Sequence, residues 1–443
     1  MTMSQMSRRR WLAALGTGLG ATALAACGAD GGPGAQTKAS GKVVFMSQGT
    51  DPNDEGRYRP LVEQFNAKAT GVTIDHIQGD PGGSAVAAQG KVIALAAAGT
   101  PPDIFWTHAY VAPNLAKLGL TADINPYIKR DREFKTANLF EAAVKDYEID
   151  GKQTGLPREA TTMITIINKE MFQKNGVPLP RDNWTWDDFL KAAQSMTKGS
   201  GSTGTWGAAG AAGGLGFSLY NVYPKIWQEG GDIVNKERTK MTLHQAPAVD
   251  QLQWLADLVS KHRVHPTPTD LAAMGATARD AWNTGRIGMF VQICVYTNFN
   301  QAQFDWDIVP LPQGKTKSTR TASAGHSMTA LSKNKDAAWE VQKMLASKAS
   351  YEHWSKTGLT VPTYKEVAQA AVVNPSAPPK SAKIALDAFS YARSEPIAGD
   401  WGNFGNEINT ALAPVWAGTS TVSAALTPIV QAAEAHLTKV PGR

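Results

Sequence analysis

Residues Thr100 to Val111 read TPPDIFWTHAYV. Two prolines open a short apolar run, and the run ends on Trp106 and His108 rather than on the small polar residues that usually finish a core strand. An indole offers an apolar face and one N–H donor, and an imidazole offers a donor and an acceptor. Placed together at a strand end, these groups suit the binding of a small molecule. No constellation of nucleophile, base and orienter accompanies them. HExxH and GxSxG are absent, and Gly325-His326-Ser327-Met328-Thr329 is only half of the latter. Gly314-Lys315-Thr316 ends like a phosphate loop, yet Val309 stands where the first glycine belongs. Asp187 and Asp188 read as helix-start charges. The two cysteines, Cys27 and Cys294, form neither CxxC nor a Cys/His cluster, so the sequence predicts no metal and no cofactor. A hydrolase or lyase stays open as an alternative, because glycosidase carboxylates carry no short signature.

Cys27 has chemistry of another kind. Residues Ser7 to Gly28, SRRRWLAALGTGLGATALAACG, join a charged start to an apolar stretch that is too short and glycine-rich for an ordinary membrane span. Ser7 to Leu12 resembles the twin-arginine export signal, with Trp11 where Phe is commoner; three consecutive arginines also suit the general pathway. Leu24-Ala25-Ala26-Cys27 resembles the bacterial lipobox, whose cysteine becomes the acylated first residue of the mature chain. The expectation is a signal peptide over 1–26, a flexible tether over 27–40, and a folded protein held by lipid outside the cell membrane. Cys294 then has no partner, and the fold is not built on disulfides. Without Arg8, Arg9 and Arg10 the chain has 41 basic side chains against 38 acidic ones. They are scattered, whereas a nucleic-acid surface needs a concentrated stripe.

The elements that must position Trp106 come next. Lys42 to Met46 reads as a strand, Tyr58 to Ala69 as a helix with Leu61, Val62 and Phe65 on one face, and Val72 to Ile77 as a strand. Lys91 to Ala98 reads as a helix and Asp103 to Trp106 as a third strand. Strand and helix in alternation predict a parallel sheet covered by helices. Ligands bind past the carboxyl ends of such strands, where Gln48 and Trp106 both fall. Downstream, Asp150-Gly151 predicts a hairpin turn, Met163 to Ile167 a strand, and Asn168 and Thr185 helix caps. Gly199 to Gly216 suits either a linker or a close-packed turn. Helices are expected at Leu252 to Val259, Asp336 to Leu345 and Phe404 to Val415, and strands at Ile287 to Val295 and Trp306 to Leu311.

The order of these segments resembles one family. The motifs are Gly99-Thr100-Pro101-Pro102-Asp103-Ile104-Phe105; Asp150-Gly151-Lys152 and Leu156-Pro157; Asn168-Lys169 and Gly176; Trp184-Thr185-Trp186-Asp187-Asp188-Phe189; Gly230-Gly231; Gly285-Arg286-Ile287-Gly288-Met289; Leu311-Pro312; and Ala337-Ala338-Trp339. From Lys42 to about Leu437 the chain is similar to the bacterial extracellular solute-binding proteins of the large sugar-binding group, the receptors of ATP-driven importers. The resemblance implies an α/β, two-lobed periplasmic-binding-protein-like fold with the ligand in a cleft between lobes joined by three crossings. The crossings are expected near Pro157, Gln292 and Thr360, giving one lobe 41–157 and 293–360 and the other 158–292 and 361–443.

The resemblance also implies the site. Sugar C–H faces stack on aromatic rings, and hydroxyls need paired donors and acceptors. By position, Gln48 and Asp51 follow the first strand, and Trp106, His108 and Tyr110 follow the third. Glu159 and Thr161 lie past the first crossing, Tyr220, Tyr223 and Trp227 precede Gly230-Gly231, and Tyr296 follows the second crossing. Trp401 and Phe404 begin a late helix. His326 has glycine beside it and is a further candidate, whereas Asp103 reads as structural. Pro102 to Leu120 is similar to the matching part of the maltose-binding proteins, but Ala109 and Tyr110 replace an acidic and a basic residue there, and Thr161 replaces a glutamate. A carbohydrate ligand is implied, a maltodextrin is not. The implied partners are a small carbohydrate, the permease subunits of an ABC transporter and a membrane reached by the lipid, with the protein a monomer. A second reading keeps the fold and binds a glycerophosphodiester or polyol phosphate. That needs a cation aimed into the cleft, and Arg158 is the nearest.

Overall fold

The computed structural model describes residues 39–49, 54–68, 71–79, 85–211, 221–293, 301–357, 361–372 and 378–439. The expected start is present. β1 (Gly41–Met46), β2 (Val72–Ile77) and β3 (Ile104–His108) run parallel, with β1 in the middle. The helix Asp54–Ala67 lies between β1 and β2 and buries Tyr58, Leu61, Val62 and Phe65, which recur at helical spacing. A two-residue hairpin follows, β4 (Glu148–Ile149) to β5 (Lys152–Gln153). Its central residues Asp150 and Gly151 have φ of 51° and 75°, the left-handed pair that matches strand twist.

β6 (Leu156–Asn168) is the longest strand, with 13 residues. Leu156 belongs to a first hydrophobic core that also holds Phe45, Ile104, Trp339 and Trp354. Met163 and Ile167 belong to a second, with Phe189, Leu252, Met289 and Ile408. Ile164 and Ile166, on the alternate face, belong to a third layer with Trp282 and Phe290. One strand therefore leaves one core and enters another. β7 (Trp206–Ala209), β8 (Ile287–Ile293) and β9 (Trp306–Val309) pair around its carboxyl half. β10 (Thr319–Met328) runs back antiparallel between β6 and β3, and β11 (Ala392–Arg393) pairs with its first residues. The principal sheet order is β2-β1-β3-β10-β6-β8-β7.

Two expected boundaries move. After Gln292 the chain stays with the second core, because β9 pairs with Thr165 to Asn168 and buries Trp306 and Ile308 in the third layer. The return run is β10, not the segment near Gln292. Thr360 itself lies outside the described residues. Beyond it Val361 and Ala368 pack against Ala142, Ala143 and Ala160, and Val367 lies in the first core, so the last passage comes nearer β11. The Gly/Ala-rich stretch is no linker where it is described: β7 is fully buried, and a Cβ at Gly207 would lie 2.0 Å from the Ala193 carbonyl oxygen.

The local caps form as their sequences dictate. Thr185 and Asp188 make a reciprocal capping box on the helix Trp186–Met196, and Asn168 Oδ1 accepts from Met171 N–H at 2.9 Å. Asp103 is structural, as expected. It accepts the Val44 N–H at 2.8 Å and the Ser332 hydroxyl at 2.5 Å, and so ties β1 and the end of β10 to the start of β3.

Candidate functional site

β3, β10 and β6 lie side by side, and their register builds the candidate site. His108 stands opposite Ala324, and Ala324 opposite Glu159; one step along, Ala322 faces Thr161. Directly paired residues of an antiparallel ladder share a face. A single methyl group at Ala324 therefore separates an imidazole from a carboxylate and leaves room between them. The His108 and Tyr110 rings are 4.4 Å apart. The Tyr110 backbone N–H donates to His108 Nδ1 at 3.3 Å, which leaves the ring proton on Nε2. Burial, helped by Arg320 and opposed by Glu159, pushes His108 down to about 4, so it is a neutral donor at physiological pH. Tyr110 packs against both the Trp106 cluster and the second core, and burial raises its phenol above the usual range.

Trp106 is only 4% exposed, set among Ala85, Ala88, Val111 and Ala324. Its indole N–H is buried and has no acceptor among the described residues. Glu159 is held by its neighbour: Arg158 Nη2 donates to Glu159 Oε1 at 2.5 Å. Arg158 is the extra residue of a β-bulge, because Ala324 pairs with Glu159 and Gly325 with Pro157. The bulge re-aims its side chain. The buried guanidinium donates to Tyr58 Oη and lies over the Tyr58 and Trp354 rings. Arg158 is thus directed into an aromatic cluster and is not the free cation the phosphate reading requires. Thr161 is buried, with Ala322 O 3.5 Å from its hydroxyl.

His326 is not brought to His108. Its Nε2 lies 2.8 Å from Tyr58 Oη, its ring packs against Phe45 and Trp354, and burial with Arg158 nearby holds it well below the usual imidazole range. On the other side of the molecule, Tyr223 and Trp227 are buried in the second core, on the helix Tyr223–Gln228. Trp227 Nε1 donates to Asp232 Oδ1 at 2.8 Å, and Arg393 lies 4.5 Å over the ring while donating to Asp232 Oδ2 at 2.7 Å. Trp401 and Phe404 stack on each other at 4.8 Å within the same core. Gln48 is half-buried in the loop after β1. Asp51, Tyr220 and Tyr296 lie outside the described residues, as do Cys27 and Cys294.

The structure adds residues that sequence reasoning missed. A small cavity of about 30 Å³ opens beside His108 and Tyr110, lined also by Asp146, Ala322, Ser394 and Glu395. Asp146 accepts from the Ser323 hydroxyl at 2.6 Å, and burial pushes its carboxyl up to about 6. Glu395 forms a buried ion pair with Arg320. No short motif marks these three. Only the pairing of β11 with β10, over 70 residues apart in sequence, brings Glu395 there. Among the described residues no group of three or more His, Cys, Asp or Glu side chains is arranged to hold a metal ion. Among them, too, no helix is long and apolar enough to cross a membrane.

Comparison with known proteins places this geometry. The family model described as bacterial extracellular solute-binding protein matches residues 51–352. A binding protein of Brucella abortus is 24% identical over 442 residues, 97% of this chain and 99% of that one. A Listeria monocytogenes ABC substrate-binding protein solved in complex with cycloalternan superposes with a TM-score of 0.72 at 24% identity, over 89% of this chain and 97% of the other. A Mycobacterium tuberculosis protein solved in complex with glycerophosphocholine superposes with a TM-score of 0.71 at 17% identity, over 90% and 98%. The fold is the mixed α/β, two-lobed one of these binding proteins.

Proposed function

Because the chain belongs to the bacterial extracellular solute-binding proteins, we propose that it binds a mono- or oligosaccharide between its two lobes and delivers it to the permease of an ABC importer. The observation that supports this reading is the face shared by β3, β10 and β6. Neutral His108, Tyr110 and the Glu159 carboxylate supply donors and acceptors there, and the buried Trp106 N–H beside them lacks a partner among the described residues. Sugar hydroxyls require that mixture. Gln48, Thr161, Tyr223, Trp227, Trp401 and Phe404 line or back the proposed site, and the resemblance alone adds Asp51, Tyr220 and Tyr296, which lie outside the described residues. The protein works as a monomer outside the cell membrane, tethered by acylated Cys27. Membrane fractionation of Cys27→Ser tests the tether, and a processed variant that stays with the membrane would refute it.

A second ligand class is a glycerophosphodiester, the class seen in the Mycobacterium tuberculosis neighbour. Arg158 does not serve it, since its guanidinium is committed to Tyr58 and Glu159. Thermal unfolding of the purified protein against maltotetraose, cycloalternan and glycerophosphocholine decides between the classes, because a ligand of the native state raises the melting temperature by mass action. The expected result is a shift with at least one neutral sugar. A shift with glycerophosphocholine alone would reverse the assignment, and turnover of a sugar would make the protein an enzyme.

A further inference from the structure

We infer that Glu395 is a ligand-recognition residue at the inner end of the cleft, where one carboxylate oxygen accepts a hydroxyl of the bound carbohydrate. The inference rests on the carbohydrate reading above and adds a residue that neither motif nor resemblance supplies.

Glu395 follows β11, whose parallel pairing with Thr319 and Arg320 draws this segment against the start of β10. Its side chain is 7% exposed, as is that of Arg320. Oε1 is bound by Arg320, which holds the carboxylate in one orientation. Oε2 is buried and receives no hydrogen bond from any group among the described residues. A buried carboxylate oxygen lacking a donor costs free energy, and such groups are rare in folded chains unless something else completes them. The cavity it lines shows what can. The space is about 30 Å³ and is lined also by His108, Tyr110 and Ala322. One water needs roughly 10–15 Å³ measured in this way, so the space admits a hydroxyl or hydroxymethyl group and excludes a ring. The partner must donate. A phosphodiester oxygen does not, whereas a sugar hydroxyl does and can also accept from His108 Nε2–H across the same space. Asp146, which also lines the space, already accepts from the Ser323 hydroxyl.

The test is calorimetric titration of the intact protein with maltotetraose and cycloalternan, comparing wild type with Glu395→Gln. The amide keeps an oxygen for Arg320 and replaces the accepting Oε2 with a donor. A hydrogen bond to a charged group is lost, so affinity for the sugar that binds falls about tenfold to a hundredfold; the neutral amide also weakens the buried pair with Arg320, so the melting temperature of the ligand-free protein falls as well, and affinity is compared where both proteins are fully folded. Glu395→Asp, which withdraws the carboxylate by one methylene, shows the same loss and serves if the amide variant does not fold. Wild-type binding that both variants retain overturns the inference and leaves the carbohydrate reading standing. Absence of binding by wild type itself overturns both.

Discussion

Trp106 and Trp227 are both almost fully buried, at 4% and 3% exposure, and they differ in the fate of the indole N–H. In the second core three tryptophans give that group an acceptor. Trp227 donates to Asp232, Trp186 to Gln228 Oε1 at 2.7 Å, and Trp184 to the Pro310 carbonyl at 3.0 Å. In the middle of β3 the N–H of Trp106 has none among the described residues. The contrast separates two uses of one residue type. A tryptophan whose polar atom is satisfied by the protein is packing, and one whose polar atom is left over marks a surface prepared for something else. The proposed site on the β3–β10–β6 face rests on that reading of Trp106.

The largest expected effect lies at the junction of the two regions. Arg158→Ala removes the partner of Glu159 and opens a hole among Tyr58, His326 and Trp354. Breaking a buried pair from one side costs about 3–5 kcal/mol, measurable by urea unfolding. A loss under about 1 kcal/mol would show that the two cores do not depend on this anchor.

A matched pair of substitutions addresses the contrast itself. Trp227→Phe removes one donor from Asp232, which keeps Arg393 and the Ile233 N–H, and should destabilise by about 1 kcal/mol while leaving affinity for a neutral sugar nearly unchanged. Trp106→Phe keeps the apolar bulk, so stability should move by less than about 1.5 kcal/mol while affinity falls about tenfold. Chemical denaturation and calorimetry on both proteins check this, and the reverse outcome would exchange the roles assigned to the two rings.

The smallest effect is a pH dependence. His108 has a folded value of about 4 against 6.5 when free. Above pH 6.5 both states are neutral and the group contributes nothing. As pH falls from 6.5 towards 4 the unfolded chain takes up the proton first, and stability is lost. Asp146 works oppositely: its folded value of about 6 lies above the free 3.8, so stability is lost as pH rises through that interval. His108→Asn isolates the first contribution. The variant should lose about 1–2 kcal/mol less than wild type between pH 7 and 4.5, read from melting curves across that range. Equal losses would mean that His108 is solvated and charged in the folded protein.

How much of this could be read in advance depends on the range of the interaction. The Thr185–Asp188 box, the Asn168 cap, the Asp150-Gly151 hairpin and the buried face of Tyr58, Leu61 and Phe65 are set by contacts within four residues, or nearly so, and each is present. The parallel β1–β3 start follows from the alternation of strand and helix; His108 ends β3 and Tyr110 follows it, whereas Trp106, expected at the strand end, lies mid-strand opposite His326. Those features the sequence determined by itself, because short-range hydrogen bonds and side-chain periodicity need no knowledge of distant chain. The return along β10 in place of the segment after Gln292 was decided by pairing between residues more than 150 positions apart. The same holds for the turning of Arg158 into the Tyr58–His326 cluster, for the meeting of Asp146 and Glu395 around one small cavity, and for the pairing of Glu395 with Arg320. Which polar atoms are satisfied, and which are left facing a cleft, is a property of those long-range pairings. Only the tertiary structure fixes it, because burial and partner are defined by what the rest of the chain brings alongside.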